Sequence, residues 1–133
     1  MAFVIDNSVA LAWFVRTQAT PYTKQLLLRA KREIVHAPNI WPSEFINTLW
    51  VMQKRDLLRA HEIDAIVARA GRLAIIVDSE PVAMPLLLGL VRHSMLSSYD
   101  ASYLELAMRR GLPLATRDVS LARAARAVGV LLK

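Results

Sequence analysis

The chain has 133 residues, 55% of them apolar, and carries 17 Lys and Arg against 11 Asp and Glu for a formal charge of +6. It has no cysteine, which excludes disulfides, thiolate zinc sites and thiol catalysis and fits a reducing cytoplasm. The length suggests one domain (1–133), the apolar share a well-supplied core with a surplus for a subunit or partner interface, and the basic balance a polyanionic partner such as nucleic acid.

In chain order, AFVI reads as a short buried strand, and MAFVIDN is too short and too soon acidic for a signal peptide. SVALAWFV follows as a helix with Asn7 or Ser8 near its cap. Thr20-Pro21 opens a second helix, YTKQLLLRAKR, and EIVHAP is a second strand stopped by Pro38. Pro42 starts the helix WPSEFINTLWVMQKR. Phe45, Leu49 and Met52 repeat there at helical spacing, and Trp41, Phe45 and Trp50 suggest that it is largely buried. AHEIDAIVARAGRL is the next helix, ended near Gly71, and AIIV is a third strand.

Ser79-Glu80-Pro81 then opens PVAMPLLLGLV, which holds two prolines and falls short of the ~20 residues a bilayer span needs. It reads as a buried helix. Ser97 or Ser98 caps YDASYLELAMRR, Gly111 ends it, PLAT is a fourth strand, VSLARAARAV a last helix, and VLLK a candidate fifth strand. Alternation of short apolar strands with helices predicts an α/β fold. The expected architecture is a three-layer α/β/α sandwich on a mainly parallel sheet of four to five strands.

Four acidic residues stand where a strand ends or a helix begins: Asp6, Glu44, Asp100 and Asp118. In open parallel sheets, sites form beyond the carboxyl ends of the strands, where Asp6 and Asp118 fall. A capping role accounts for Asp6, Asp100 or Asp118 taken singly, and an Asp in a first helical turn is favoured by the helix dipole. Glu44, among aromatic neighbours, needs a partner if buried. One divalent cation would explain all four together. Converging carboxylates repel, and a hard ion such as Mg²⁺ or Mn²⁺ relieves that repulsion and activates water toward a phosphodiester. Ser8, Asn47 and Thr116 are the candidate supporting polar residues, by their spacing from Asp6, Glu44 and Asp118.

Other signals are weaker. His36, His61 and His93 lack metal spacing, and no Gly-rich phosphate loop, HExxH or Ser/His/Asp set is legible. A receiver-like phosphotransfer domain would want a lysine near the last strands, where only Lys133 is present. An acidic pocket repels RNA unless a basic rim holds the backbone, and Arg16, Arg92, Arg109, Arg110 and Arg117 are the candidates. Trp13, Trp41 and Trp50 are core candidates, and the apolar surplus around Trp41 and Trp50 would suit a partner helix.

Asp6-x-Ser8 after a strand, Pro42-Ser43-Glu44 with Asn47, the run Tyr99 to Ala107 (YDASYLELA) and Leu114 to Asp118 (LATRD) resemble the PIN-domain ribonucleases. More closely they are similar to the VapC toxins of bacterial or archaeal toxin–antitoxin pairs, and Leu121 to Ala125 with Gly129-Val130 fits the closing pattern. The resemblance covers essentially the whole chain. It implies Mg²⁺- or Mn²⁺-dependent RNA hydrolysis, a homodimer and inhibition by a cognate VapB-like antitoxin, while the absence of cysteine and of a bilayer-length apolar run is what suggests a cytoplasmic protein with no membrane segment. On it, Asp6, Glu44, Asp100 and Asp118 are the catalytic, metal-holding quartet, with Asp6 and Asp100 the firmest ligands. Val119-Ser120-Leu121 stand where some relatives carry a further acid, which weakens the expectation of a second metal. The other readings are a non-catalytic nucleic-acid-binding module, in which the carboxylates only cap helices, and a nuclease for DNA or for RNA processing without an antitoxin.

Overall fold

Phe3, Val4 and Ile5 have no solvent exposure in the first strand, β1 (Ala2–Ile5), and their apolar run explains why it lies inside a sheet. The computed structural model describes residues 1–133. β1 pairs in parallel with β2 (Ile34–Ala37) on one side and β4 (Leu114–Ala115) on the other, and β2 pairs in parallel with β3 (Ile76–Val77). The order is β3-β2-β1-β4. The register sets Phe3 beside Val35, Val4 beside Leu114 and His36 beside Ile76, so all four carboxyl ends point the same way. The expected fifth strand is a single parallel bridge, Leu114 to Leu131.

Seven helices flank the sheet: α1 (Asn7–Phe14), α2 (Pro21–Ala30), α3 (Trp41–Lys54), α4 (Ala60–Arg72), α5 (Met84–Ser94), α6 (Ser98–Arg110) and α7 (Val119–Ala127). α1 packs with α2, α3 and α4, while α6 packs with α5 and α7 and lies on β1 and β4. The α/β/α architecture is therefore as the alternation of elements predicts. The start of α2 follows from local chemistry. Thr20 and Thr23 exchange hydrogen bonds between side chain and backbone, with Pro21 in the first turn. Gly111 closes α6 in the left-handed conformation, at φ 62°. No helix is long and apolar enough to cross a membrane.

Asp6 caps α1, its carboxylate accepting the Val9 amide at 3.1 Å, with Asn7 and Ser8 beside it in the first turn. Four expectations about elements are corrected. α5 begins at Met84 rather than at Ser79-Glu80-Pro81, and none of its residues is buried. It leans on the core through Leu87, Leu90 and Val91 while Met84, Leu86 and Leu88 face solvent, α6 being its main neighbour. α3 is buried only along Trp41, Phe45 and Leu49. Trp50 falls off that stripe and is 51% exposed, not core.

A charged knot ties the exit of β3 to the end of α6. Buried Asp78, the residue after β3, meets Arg109 at 2.7 Å and Arg110 at 2.8 Å, and Arg109 also reaches Glu105 at 2.5 Å and Glu80 at 3.0 Å. The hydrogen bond from Arg109 holds the Asp78 carboxyl below its usual range, against the effect of burial.

Candidate active site

Asp6 leaves β1 at its carboxyl end and is 4% exposed. Both of its oxygens are in use. Oδ1 accepts from the Ser8 hydroxyl at 2.6 Å and from the Val9 amide, and Oδ2 accepts from the Thr116 hydroxyl at 2.5 Å. Thr116 follows β4, the strand beside β1, so two adjacent strand ends are joined at this point. The Thr116 oxygen also accepts the Asp118 amide at 2.9 Å, and Ser8 accepts the Arg117 amide at 3.0 Å. Ser8 and Thr116 therefore both stand against Asp6.

Asp118 is half-buried and caps α7, accepting the Leu121 amide at 2.8 Å. Asp100 is half-buried in the first turn of α6, which Ser97 caps. Glu44 is half-buried in the first turn of α3 and accepts from the Tyr103 hydroxyl at 2.7 Å. Asn47 is exposed and makes no side-chain hydrogen bond; it lines a shallow depression with Pro42, Ser43, Ile46 and Trp50. Its neighbour Thr48 is the connected residue, donating to the Glu44 carbonyl at 3.0 Å and accepting from Asn7 Nδ2 at 3.1 Å.

The electrostatics link the four acids through Asp100. Burial pushes the Asp6 carboxyl up to about 6 against the pull of its hydrogen-bond donors, and the charge of Asp100 adds to the rise. Burial raises Glu44 as well, with Tyr103 opposing and Asp100 adding. Burial likewise raises Asp100, and there the charge of Asp118 adds. Asp6, Glu44 and Asp118 thus each share a field with Asp100.

No three acidic or histidine side chains stand together as ready ligands of one ion. The donor set nevertheless fits a hard cation. It is all oxygen, the carboxyls of Asp6, Glu44 and Asp100 sit above their usual range through burial and the charge of a neighbouring acid, and Mg²⁺ usually takes one or two carboxylates and keeps several waters. Such an ion does not need three protein ligands in direct contact.

The basic rim is smaller than expected. Arg109 and Arg110 are drawn into the knot around Asp78 because the end of α6 lies beside the β3 exit. Arg16, Arg92 and Arg117 are exposed, and Arg117 also donates to the Gln18 carbonyl at 3.0 Å. Two contacts escape the sequence reading, Tyr103 with Glu44 and Asn7 with Thr48. The only sequence signal for the first is that Tyr103 lies three residues after Asp100, on the same helix face.

A family model, "PIN domain", matches residues 3–127. Among solved structures, the chain is similar to the crystal structure of PAE2754 from Pyrobaculum aerophilum. The TM-score is 0.64 at 23% identity, over 93% of this chain and 87% of that one, a likeness of fold. No curated protein matches the chain.

Proposed function

This chain belongs to the PIN domain family, and from that premise we propose that it is a metal-dependent endoribonuclease of the VapC toxin type. PIN domains are generally metal-dependent nucleases, which makes a nucleic-acid hydrolase the coarse reading and RNA the finer one. The supporting observation is the shared field of the four acids. The carboxyls of Asp6, Glu44 and Asp100, each raised by burial and by the charge of a neighbouring acid, lie toward the carboxyl ends of a parallel sheet in a chain of net charge +6.

In this reading Asp6 and Asp100 hold the ion, with Asp118 and Glu44 completing the site directly or through water. A bound Mg²⁺ or Mn²⁺ supplies a Lewis acid that lowers the pKa of water and offsets charge on the phosphate. Ser8 and Thr116 fix the Asp6 carboxylate in one orientation. Arg16 and Arg117 hold the backbone of the polyanion beside the acids. The homodimer and a VapB-like antitoxin follow from the resemblance to VapC toxins, the single domain over 1–133 from the length and the cytoplasmic setting from the absence of cysteine, and exposed Trp50 with Ile46 offers an apolar surface for an antitoxin helix.

The deciding experiment is induced expression in a bacterial host with mapping of cleaved 5′-phosphate ends, repeated with Asp100→Asn. Arrested growth and new RNA ends with the wild type, both absent with the variant, support the reading. Unaltered RNA with the wild-type protein rejects it.

A further inference from the structure

We propose that Tyr103 is a positioning residue, whose hydroxyl fixes the Glu44 carboxylate beside Asp100 so that Glu44 contributes to holding a divalent ion. The inference rests on the proposed nuclease reading and deepens it.

Tyr103 has no solvent exposure, and its hydroxyl makes one side-chain hydrogen bond, to Glu44 Oε1 at 2.7 Å. That is also the one hydrogen bond made by the Glu44 carboxylate. Tyr103 lies one turn beyond Asp100 on α6, so the helix that carries Asp100 also carries the donor that aims Glu44. Its hydroxyl stands in the fields of Glu44, Asp6 and Asp100 together. The phenol O–H is the donor of the bond to Glu44, because an ionised carboxylate can only accept.

The main chain of Glu44 is held from the other side. Thr48 Oγ1 donates to the Glu44 carbonyl and accepts from Asn7, the residue after Asp6. Backbone and side chain of Glu44 are therefore tied separately, one toward α1 and one toward α6. Without the tyrosine hydroxyl nothing restrains the carboxylate, because Ser43 and Asn47 on the same helix are exposed and leave room for it to swing into solvent. A phenylalanine fills the same space and removes only the restraint.

The test is a double-mutant cycle read by Mn²⁺ binding, followed as the rise in melting temperature on titration of Mn²⁺ into metal-free protein. The proteins are wild type, Tyr103→Phe, Glu44→Ala and the double variant. Tyr103→Phe is expected to fold in EDTA and to bind Mn²⁺ roughly tenfold more weakly. In the Glu44→Ala background the same change is expected to have no further effect. Equal Mn²⁺ affinity in wild type and Tyr103→Phe overturns this inference alone and leaves the nuclease reading standing. So does an equal loss with and without Glu44, or a Tyr103→Phe chain that no longer folds. A wild-type protein that Mn²⁺ does not stabilise overturns both.

Discussion

Thr116 donates its hydroxyl to Asp6 across 110 residues of chain and accepts the Asp118 amide with the same oxygen. One threonine thus connects the acid at the end of β1 with the acid at the start of α7. Burial and the surrounding charge leave Asp6 half-neutral near pH 6, where an exposed aspartate would be fully ionised. A cation held by Asp6 must therefore displace that proton, which couples metal binding at the site to pH.

Asp6→Asn and Asp100→Asn are each expected to abolish RNA cleavage, by more than the roughly hundredfold that loss of an outer partner produces. Both should keep the circular dichroism spectrum of the parent. Cleavage is assayed on a labelled RNA with Mn²⁺, with the EDTA-treated protein as blank.

Stability of the metal-free protein is expected to fall as pH rises. The folded state holds the Asp6 proton up to about pH 6, whereas an ordinary aspartate loses it near 3.8. The folded form therefore binds more protons within that window, and its advantage shrinks by on the order of 3 kcal/mol in crossing it. Glu44 and Asp100, also raised, act in the same direction. Mn²⁺ should reverse the trend, because it binds the ionised form, with affinity climbing by up to about tenfold per pH unit below 6 and levelling above. Melting curves with EDTA and with Mn²⁺, between about pH 4.5 and 8, read both slopes.

Among the arginines, Arg117 and Arg110 should behave differently. Arg117 is exposed and its amide sits on Ser8, whereas Arg110 is paired with Asp78. Arg117→Ala is expected to lower the slope of log affinity against log salt for single-stranded RNA by roughly one, and Arg110→Ala to leave it unchanged. Fluorescence anisotropy at several salt concentrations, with catalysis blocked by Asp100→Asn, measures the slope.

Arg109→Met should weaken the fold without touching the chemistry. It leaves buried Glu105 without its cation and buried Asp78 with Arg110 alone, and loss of a hydrogen bond to a charged group costs about 1.5–3 kcal/mol. Denaturant titration should show that loss, while cleavage per folded molecule stays at the parent level.

The layout of the fold was legible because local signals agree with it. Pro38 stops β2, Thr20-Pro21 opens α2, Ser97 caps α6 and Gly111 ends it, and each depends on its immediate neighbours. The closeness of Ser8 to Asp6 was legible for the same reason, being two residues away. The features that escaped depend on which surfaces meet. The apolarity of α5 is plain in the sequence, but not that α6 would be its main cover and leave one face in solvent. The arginines of α6 read as free cations because Asp78 reaches them only after β3 and α6 are placed. Asn47 and Thr48 are adjacent and both polar, and the turn of α3 against α1 alone decides that Thr48 meets Asn7 while Asn47 faces water.

The carboxylate of Asp6 is clamped by three donors, whereas Asp118 has a single amide and Asp100 sits on an open helical turn. A ligand arriving there would find one anchor held on both oxygens and two arms held more lightly. The ordering entropy of capture therefore falls on the arms, about 0.5–1.5 kcal/mol for each side chain that must stop moving. If an ion is held there as proposed, its exchange would ask the two arms to move and not the sheet beneath.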